Sequence, residues 1–120
     1  MIEEMYKQLI LEEWKNPKNK GMLADFNAEA HVNNPLCGDQ LVVRLKYLDG
    51  KVAAVSFDGD GCAISQASAS LLTEAIKNMT VTDIKALKKE AIFTLLGVEI
   101  IATRQKCALL SLQAVQKALS

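Results

Sequence analysis

The sequence predicts an α+β domain in which helices pack on one face of a small antiparallel sheet of about three strands. Two observations support this fold class. The apolar pattern has period two between residues 41 and 47, before a hairpin turn and a return strand, and it has a helical period on either side of this strand segment. The element order is therefore helix, strands, helices, which is typical of α+β domains. A chain of 120 residues, half of them apolar, is sized for a single domain over residues 1–120.

The chain begins with an amphipathic helix over residues 2–14, where apolar side chains recur at helical spacing. The Asn16-Pro17 step ends this helix, because the residue before proline is pushed out of the helical region. Residues 16–27 are predicted as loop. A short strand near residues 28–32 is expected to pair at an edge of the sheet.

The central strands cover residues 41–47 and 52–57, and Asp49-Gly50 joins them. This dipeptide predicts a type I′ hairpin turn, which needs positive φ at both positions. Three helices are expected after the hairpin. The first opens at Cys62, the second runs from an N-cap at Thr82 to Gly97, and the last covers residues 108–119.

Charge and composition narrow the function. Fourteen basic and fourteen acidic side chains cancel, so nothing favours a nucleic acid or membrane partner. The N-terminus MIEEMYKQ has no apolar signal core, and we expect a cytoplasmic protein. No oversized apolar stripe is visible in the sequence, so we expect a monomer that docks transiently on its partners.

Three cysteines stand in settings that favour chemistry. In a reducing compartment, an odd number of cysteines favours metal binding or thiol chemistry over a disulfide framework. Cys37 lies in NNPLCGDQ before a strand, whereas Cys62 and Cys107 are each predicted to open a helix. Unpaired N–H groups and the positive dipole end at a helix start favour a thiolate. Glycines 59 and 61 let the backbone approach closely before Cys62, and the basic residues 104 and 106 favour the thiolate of Cys107.

A shared metal site is one interpretation of these cysteines. The three thiols and the carboxylate of Asp39 give four donors, enough for a tetrahedral ion, and a carboxylate exchanges more readily than a fourth thiolate. The cysteines are 25 and 45 residues apart, so such a site must form by tertiary folding. The alternative is that each cysteine is a small buried apolar residue.

Other polar residues have plainer interpretations. His31, the single histidine, is expected at the surface or in a hydrogen bond rather than as a ligand. Ser65, Ser68 and Ser70 have no paired base, so we expect them to bond backbone groups or allow close packing, not to act as hydrolase nucleophiles.

The segments NNPLCGD, GDGCAISQASAS and RQKCALLSLQAVQKAL resemble the three cysteine motifs of the IscU/SufU/NifU N-terminal family of iron–sulfur cluster assembly proteins. The segment NPKNKGML also resembles that family's NPxNxG-type motif. The resemblance implies that Cys37, Cys62 and Cys107 hold a transient [2Fe–2S] cluster, with Asp39 beside them, and that zinc occupies the same site at rest. It further implies a pyridoxal-phosphate cysteine desulfurase as sulfur donor and apo iron–sulfur proteins as acceptors.

Departures from the family pattern leave two functions open. The IscU branch has a histidine directly before the third cysteine and an LPPVK segment upstream, and this chain has Lys106 and EIIATRQK there. The RxKC motif resembles SufU, but the interval from Cys62 to Cys107 has no room for the SufU insertion. One interpretation is a scaffold, which is not an enzyme. The alternative is a SufU-like zinc-dependent sulfur-transfer protein, with Cys37 as candidate sulfur acceptor and Cys107 as the alternative. A purely structural zinc domain is a third hypothesis.

Overall fold

The computed structural model describes residues 2–35 and 38–120, with side chains from residue 7 onward. The fold is α+β, with a three-stranded antiparallel sheet and five helices, as the sequence predicts. The elements in chain order are α1 (Ile2–Lys15), β1 (Ala28–Asn34), β2 (Asp39–Leu48), β3 (Lys51–Asp60), α2 (Ala63–Ala75), α3 (Val81–Lys85), α4 (Lys89–Leu96) and α5 (Ala102–Leu119).

The sheet has the order β1-β2-β3, so β2 is central and β1 is an edge strand, as expected. Both turn residues of the β2–β3 hairpin have positive φ, 53° at Asp49 and 78° at Gly50. These angles confirm the predicted type I′ turn, whose twist matches that of the flanking strands.

One face of the sheet packs against helices and forms the core. Burial alternates along β1 and through the first half of β2, so every second side chain points inward. Helix α5 lies against β1 and β2, and α2 lies against β3. The largest fully buried side chains come from both layers: Leu45, Phe57, Leu72, Ile76, Ile84, Ile92, Leu96 and Leu110.

The loop after α1 first pairs with the free edge of β3 and then crosses the face of the sheet that is turned away from the helices. The N–H of Gly21 donates to the carbonyl of Phe57 at 2.8 Å, and the N–H of Leu23 donates to the Ser56 hydroxyl at 2.9 Å. Arg44 of β2 then lies over the Phe26 ring, with its guanidinium carbon 4.3 Å from the ring centroid. The predicted loop is therefore an ordered cover whose backbone donors are satisfied by the sheet.

The prediction of one helix between residues 82 and 97 is wrong, because two short helices occupy this segment. Helix α3 begins one residue before Thr82, and its N-cap is Thr80, whose hydroxyl accepts the N–H of Asp83 at 3.1 Å. The helical conformation is then interrupted between the end of α3 at Lys85 and the start of α4 at Lys89. The side-chain amide of Gln116 in α5 donates to the carbonyls of Ile84 at 3.2 Å and Leu87 at 2.8 Å, so a distant side chain satisfies the broken turn.

The last helix is longer than predicted, and this changes the setting of one cysteine. Helix α5 begins at Ala102, so Cys107 lies inside the helix and does not open it. The first five residues, ATRQK, are largely exposed and carry no apolar stripe, which is why periodicity missed this turn. None of the helices in the described part of the chain is long and apolar enough to cross a membrane.

Candidate metal and thiol site

One end of the sheet gathers the predicted donors. The antiparallel register places Asn34, the last residue of β1, opposite Asp39, the first residue of β2. On the other side of β2, Gln40 lies opposite Asp60, the last residue of β3. Because β3 leads directly into α2, the carboxylate of Asp39 comes next to Cys62 although 22 residues separate them in the sequence.

The carboxylate of Asp39 contacts Cys62 through both oxygens. Its Oδ1 accepts the backbone N–H of Cys62 at 3.0 Å, and its Oδ2 lies 3.6 Å from the Cys62 sulfur. Cys62 is the N-cap of α2 and has extended backbone angles, which confirms the prediction that it opens a helix. A negative group is stabilised at this position by the helix dipole.

Cys107 approaches the same point from α5. The candidate ligand atoms of Asp39, Cys62 and Cys107 all lie within 4.8 Å of one another. In a tetrahedral zinc site with Zn–S bonds of about 2.3 Å, neighbouring ligand atoms are about 3.5–3.8 Å apart. A small inward adjustment would therefore bring the three donors to bonding distance, and their chemistry fits zinc or iron. Cys37, the fourth predicted donor, lies outside the described residues.

The three donors differ in exposure. Asp39 is 3% exposed and Cys107 is 1% exposed, whereas Cys62 is half-buried. Among these three, Cys62 is the one that a reagent reaches first. The expectation that Cys107 owes its reactivity to a helix start is wrong, because its backbone lies within the second turn of α5.

Two glycines make this close approach sterically feasible. A Cβ on Gly59 would lie 2.2 Å from the backbone oxygen of Gln40. A Cβ on Gly61 would lie 2.2 Å from the hydroxyl oxygen of Ser65 and 3.2 Å from Oδ1 of Asp39. The glycines therefore serve the close backbone approach that the sequence predicted.

The serines of α2 have structural partners, as expected. Ser65 donates to the carbonyl of Cys62 at 3.0 Å, Ser68 donates to the carbonyl of Ala108 at 2.6 Å, and Ser70 donates to the carboxylate of Glu13 at 2.7 Å. Each of these partners can only accept a hydrogen bond, so the single hydroxyl hydrogen of each serine is used in a bond within the fold. This use of the hydrogen is the bonding expected of helical serines rather than that of nucleophiles.

The single histidine contributes no donor to the Asp39, Cys62 and Cys107 group. His31 is exposed on β1, with Nε2 3.5 Å from Oε1 of Glu29. The hydrogen bond that Arg44 donates to Glu29 is the main cause that lowers the pKa of this carboxyl. These charges therefore form a surface cluster on the strand, which agrees with the surface position expected for His31.

Sequence reasoning missed an apolar groove beside the site. It lies between α1, the start of α2 and residues 98–104, and has a volume of about 480 Å³. Its lining includes Leu11, Ile64 and Ile101, with Arg104 at one side, and Ile101 is 66% exposed. These residues come from separate segments, so no stripe in the sequence reveals the groove.

Comparison with known proteins identifies the family. The family model described as the NifU-like N terminal domain matches residues 5–120. The chain belongs to this family. Among curated members with IscU and SufU names, the zinc-dependent sulfurtransferase SufU of Bacillus subtilis (strain 168) is 37% identical over 136 aligned positions. That alignment covers 97% of this chain and 90% of SufU. The alignment has more positions than this chain has residues, so SufU contains residues that this chain lacks.

Other relatives carry scaffold names. Iron-sulfur cluster assembly scaffold protein IscU 1 of Archaeoglobus fulgidus is 28% identical, and the match covers 96% of this chain and 74% of that protein. The crystal structure of a nitrogen-fixing NifU-like protein (N-terminal) from Brucella abortus superposes with a TM-score of 0.82. It is 26% identical, with 98% of this chain and 94% of that chain covered. The family and the fold therefore agree with the resemblance seen in the motifs.

Proposed function

We propose that this protein is an iron–sulfur cluster assembly scaffold. It receives sulfur from a pyridoxal-phosphate cysteine desulfurase, templates a [2Fe–2S] cluster on Cys37, Cys62 and Cys107, and passes the cluster to apo acceptor proteins. The observation that carries the proposal is the convergence of Asp39, Cys62 and Cys107 to within 4.8 Å at one end of the sheet. Membership of the NifU-like N terminal domain family supports it.

The geometry supports distinct roles for the donors. Cys107 is held in a buried helix turn, so it suits a fixed ligand. Cys62 is half-buried at a helix start, where incoming iron and sulfide have access. Asp39 is a harder donor than a thiolate, so it suits the position at which the cargo must exchange.

Anaerobic reconstitution tests the scaffold function. Incubation with ferrous iron, cysteine and a cysteine desulfurase should give a brown protein with visible charge-transfer absorption. Cys62→Ser and Cys107→Ser should each abolish that colour, since each removes a thiolate ligand. His31→Ala is the matched control, because His31 is a metal-binding residue type that lies outside the donor group, and it should behave as wild type. A colourless wild type that contains no iron would refute the scaffold function.

A second candidate function is zinc-dependent sulfur transfer, favoured by the 37% identity to SufU along almost the whole chain. In this reaction the Cys37 thiolate attacks the outer sulfur of the desulfurase persulfide. The S–S bond breaks, the desulfurase leaves as its thiolate, and Cys37 becomes the persulfide. Bound zinc would supply charge that keeps the cysteines deprotonated between turnovers. The burial of Cys107 supports Cys37 over Cys107 as the acceptor.

Metal content and desulfurase kinetics distinguish the two functions. A sulfur-transfer protein purifies colourless with one zinc ion per chain and accelerates the desulfurase. In that case Cys37→Ser should remove the acceleration. If Cys37→Ser instead accelerates the desulfurase as wild type does and Cys107→Ser does not, Cys107 is the acceptor. If the protein binds zinc and shows neither behaviour, a structural zinc domain is the correct assignment.

A further inference from the structure

A buried hydrogen-bonded seam joins the two helices that carry the described cysteines. The Ser68 hydroxyl of α2 lies 2.6 Å from the carbonyl oxygen of Ala108 in α5 and 3.0 Å from the Ser111 hydroxyl in the same helix. Ser68 is 1% exposed and Ser111 is fully buried, and their chain neighbours Ala67, Ala69, Leu110 and Leu112 belong to the apolar core. Polar groups at such depth are maintained only when they are hydrogen-bonded.

The direction of these hydrogen bonds follows from the atoms involved. The carbonyl of Ala108 can only accept, so Ser68 uses its single hydrogen there. Ser111 must then be the donor in the second bond, and its hydrogen points to Ser68. The two bonds therefore form a short chain from Ser111 through Ser68 to Ala108, in a medium of low dielectric where each bond strengthens the next.

This seam is connected to both cysteines along their helices. Ala108 directly follows Cys107, and Ser68 lies in the second turn of the helix that Cys62 opens. Apolar contacts between helices are non-directional and tolerate small sliding movements. A hydrogen bond weakens steeply as its length and angle change. The seam therefore restricts the axial position of α2 relative to α5, and with it the distance between the sulfurs of Cys62 and Cys107.

We propose that Ser68 is a positioning residue for the metal centre, supported by Ser111. This inference rests on the proposed function only in requiring that the centre binds metal. Ser68 touches neither sulfur. It sets the separation of two ligands by fixing the register of the helices that carry them.

Ser70 provides a matched control on the same helix. It is fully buried and its hydroxyl makes a buried hydrogen bond to Glu13, and it also accepts the backbone N–H of Lys18, so both bonds lie on the α1 side. Ser68→Ala and Ser70→Ala therefore remove the same atom from the same helix at the same depth. They differ in whether the lost bond reaches the helix that carries Cys107.

The test compares zinc affinity in these variants by competition with a chromophoric chelator, beside urea unfolding of each apo protein. Both variants should lose stability, whereas only Ser68→Ala should bind zinc more weakly, by about tenfold or more, as is typical when a group that orients metal ligands is removed. The charge-transfer band of the cobalt(II)-loaded protein should also shift in Ser68→Ala alone. Such a band reports ligand geometry and is insensitive to global stability.

Equal zinc affinity and equal cobalt spectra for the two variants would overturn the positioning role and leave the proposed function intact. A wild type that binds neither zinc nor cobalt would overturn the metal centre itself, and the positioning role with it. If Ser68→Ala does not fold, Ser111→Ala replaces it, since it removes the supporting donor and keeps the bond to Ala108. It should shift the cobalt band relative to wild type, and an unshifted band would contradict the inference.

Discussion

At the scale of single residues, the site depends on the absence of a side chain at Gly61 as well as on the donor side chains. Gly61 leaves a space that the hydroxyl of Ser65 and the carboxylate of Asp39 occupy, with a hypothetical Cβ 2.2 Å and 3.2 Å from them. The φ angle of Gly61 is not in the left-handed region, so the requirement for glycine here is steric rather than conformational. Any side chain would displace groups that contact Cys62 directly.

We predict that Gly61→Ala weakens zinc binding by tenfold or more, because Asp39 or Ser65 must move. Outer-shell changes at metal sites have effects of about this size. Chelator competition measures the change. Gly50→Ala is the control, since its added Cβ meets nothing within 4 Å and lies at the far hairpin, where φ is 78°. It should lower stability by about 1 kcal/mol through left-handed strain and leave zinc affinity unchanged. Equal zinc affinities in wild type and Gly61→Ala would contradict the steric role.

At the scale of elements, the buried carboxylate of Glu13 connects α1 to α2 through hydrogen bonds. Glu13 is 6% exposed, and its Oε1 and Oε2 each lie 2.7 Å from the ammonium of Lys18. Ser70 of α2 also donates to Glu13 at 2.7 Å, and the backbone N–H of Lys18 donates to Ser70 at 2.8 Å. The loop after α1 therefore closes a ring of hydrogen bonds between the first helix and the helix that Cys62 opens.

We predict that Glu13→Ala lowers the free energy of unfolding by about 1–3 kcal/mol, because the buried Ser70 hydroxyl loses its acceptor. Lys18 is about half exposed, so water solvates its ammonium and limits the loss. Urea unfolding measures the change. Glu12→Ala alters the exposed neighbour on the same helix and should stay within about 0.5 kcal/mol of wild type. Equal losses in the two variants would show that the ring is not stabilising.

Elements also show where sequence patterns stop being informative. Strands β2 and β3 and their turn were predictable because the period-two pattern of β2 and the Asp49-Gly50 dipeptide are local signals. The break between α3 and α4 was not, because the amide of Gln116 satisfies its carbonyls from a helix about 30 residues away. The first turn of α5 was missed for the opposite reason, since it faces solvent and contributes no apolar period.

At the scale of the whole molecule, the core is continuous without the site. Its apolar side chains come from α1, all three strands and the four later helices, and the donor group lies at one end of the sheet. Residue type and motif resemblance were sufficient to propose Asp39, Cys62 and Cys107 as donors, and the fold brings their candidate ligand atoms within 4.8 Å of one another. Their convergence was not predictable from spacing, because it depends on the β1–β2–β3 register and on the packing of α5 over the sheet.

We therefore predict that chelation leaves the protein folded. Metal removal should lower the melting temperature and retain a cooperative transition, since zinc at 100 times its Kd adds about 2.7 kcal/mol to a core that is stable alone. Calorimetry of the zinc-loaded and chelated forms, with Cys62→Ser as a variant lacking one ligand, measures the effect. Cys62→Ser should melt close to the chelated wild type with or without zinc. A chelated wild type without a cooperative transition would instead identify the metal as structural.

The β2–β3 hairpin has a practical consequence. Strand β2 runs from Asp39 to Leu48, and its nine steps at about 3.3 Å per residue place the turn about 30 Å from Asp39. Leu48, beside that turn, is 56% exposed. A fluorophore or surface tether attached there through an unnatural amino acid would leave the thiols untouched, so single molecules could be immobilised with the reactive end facing solution.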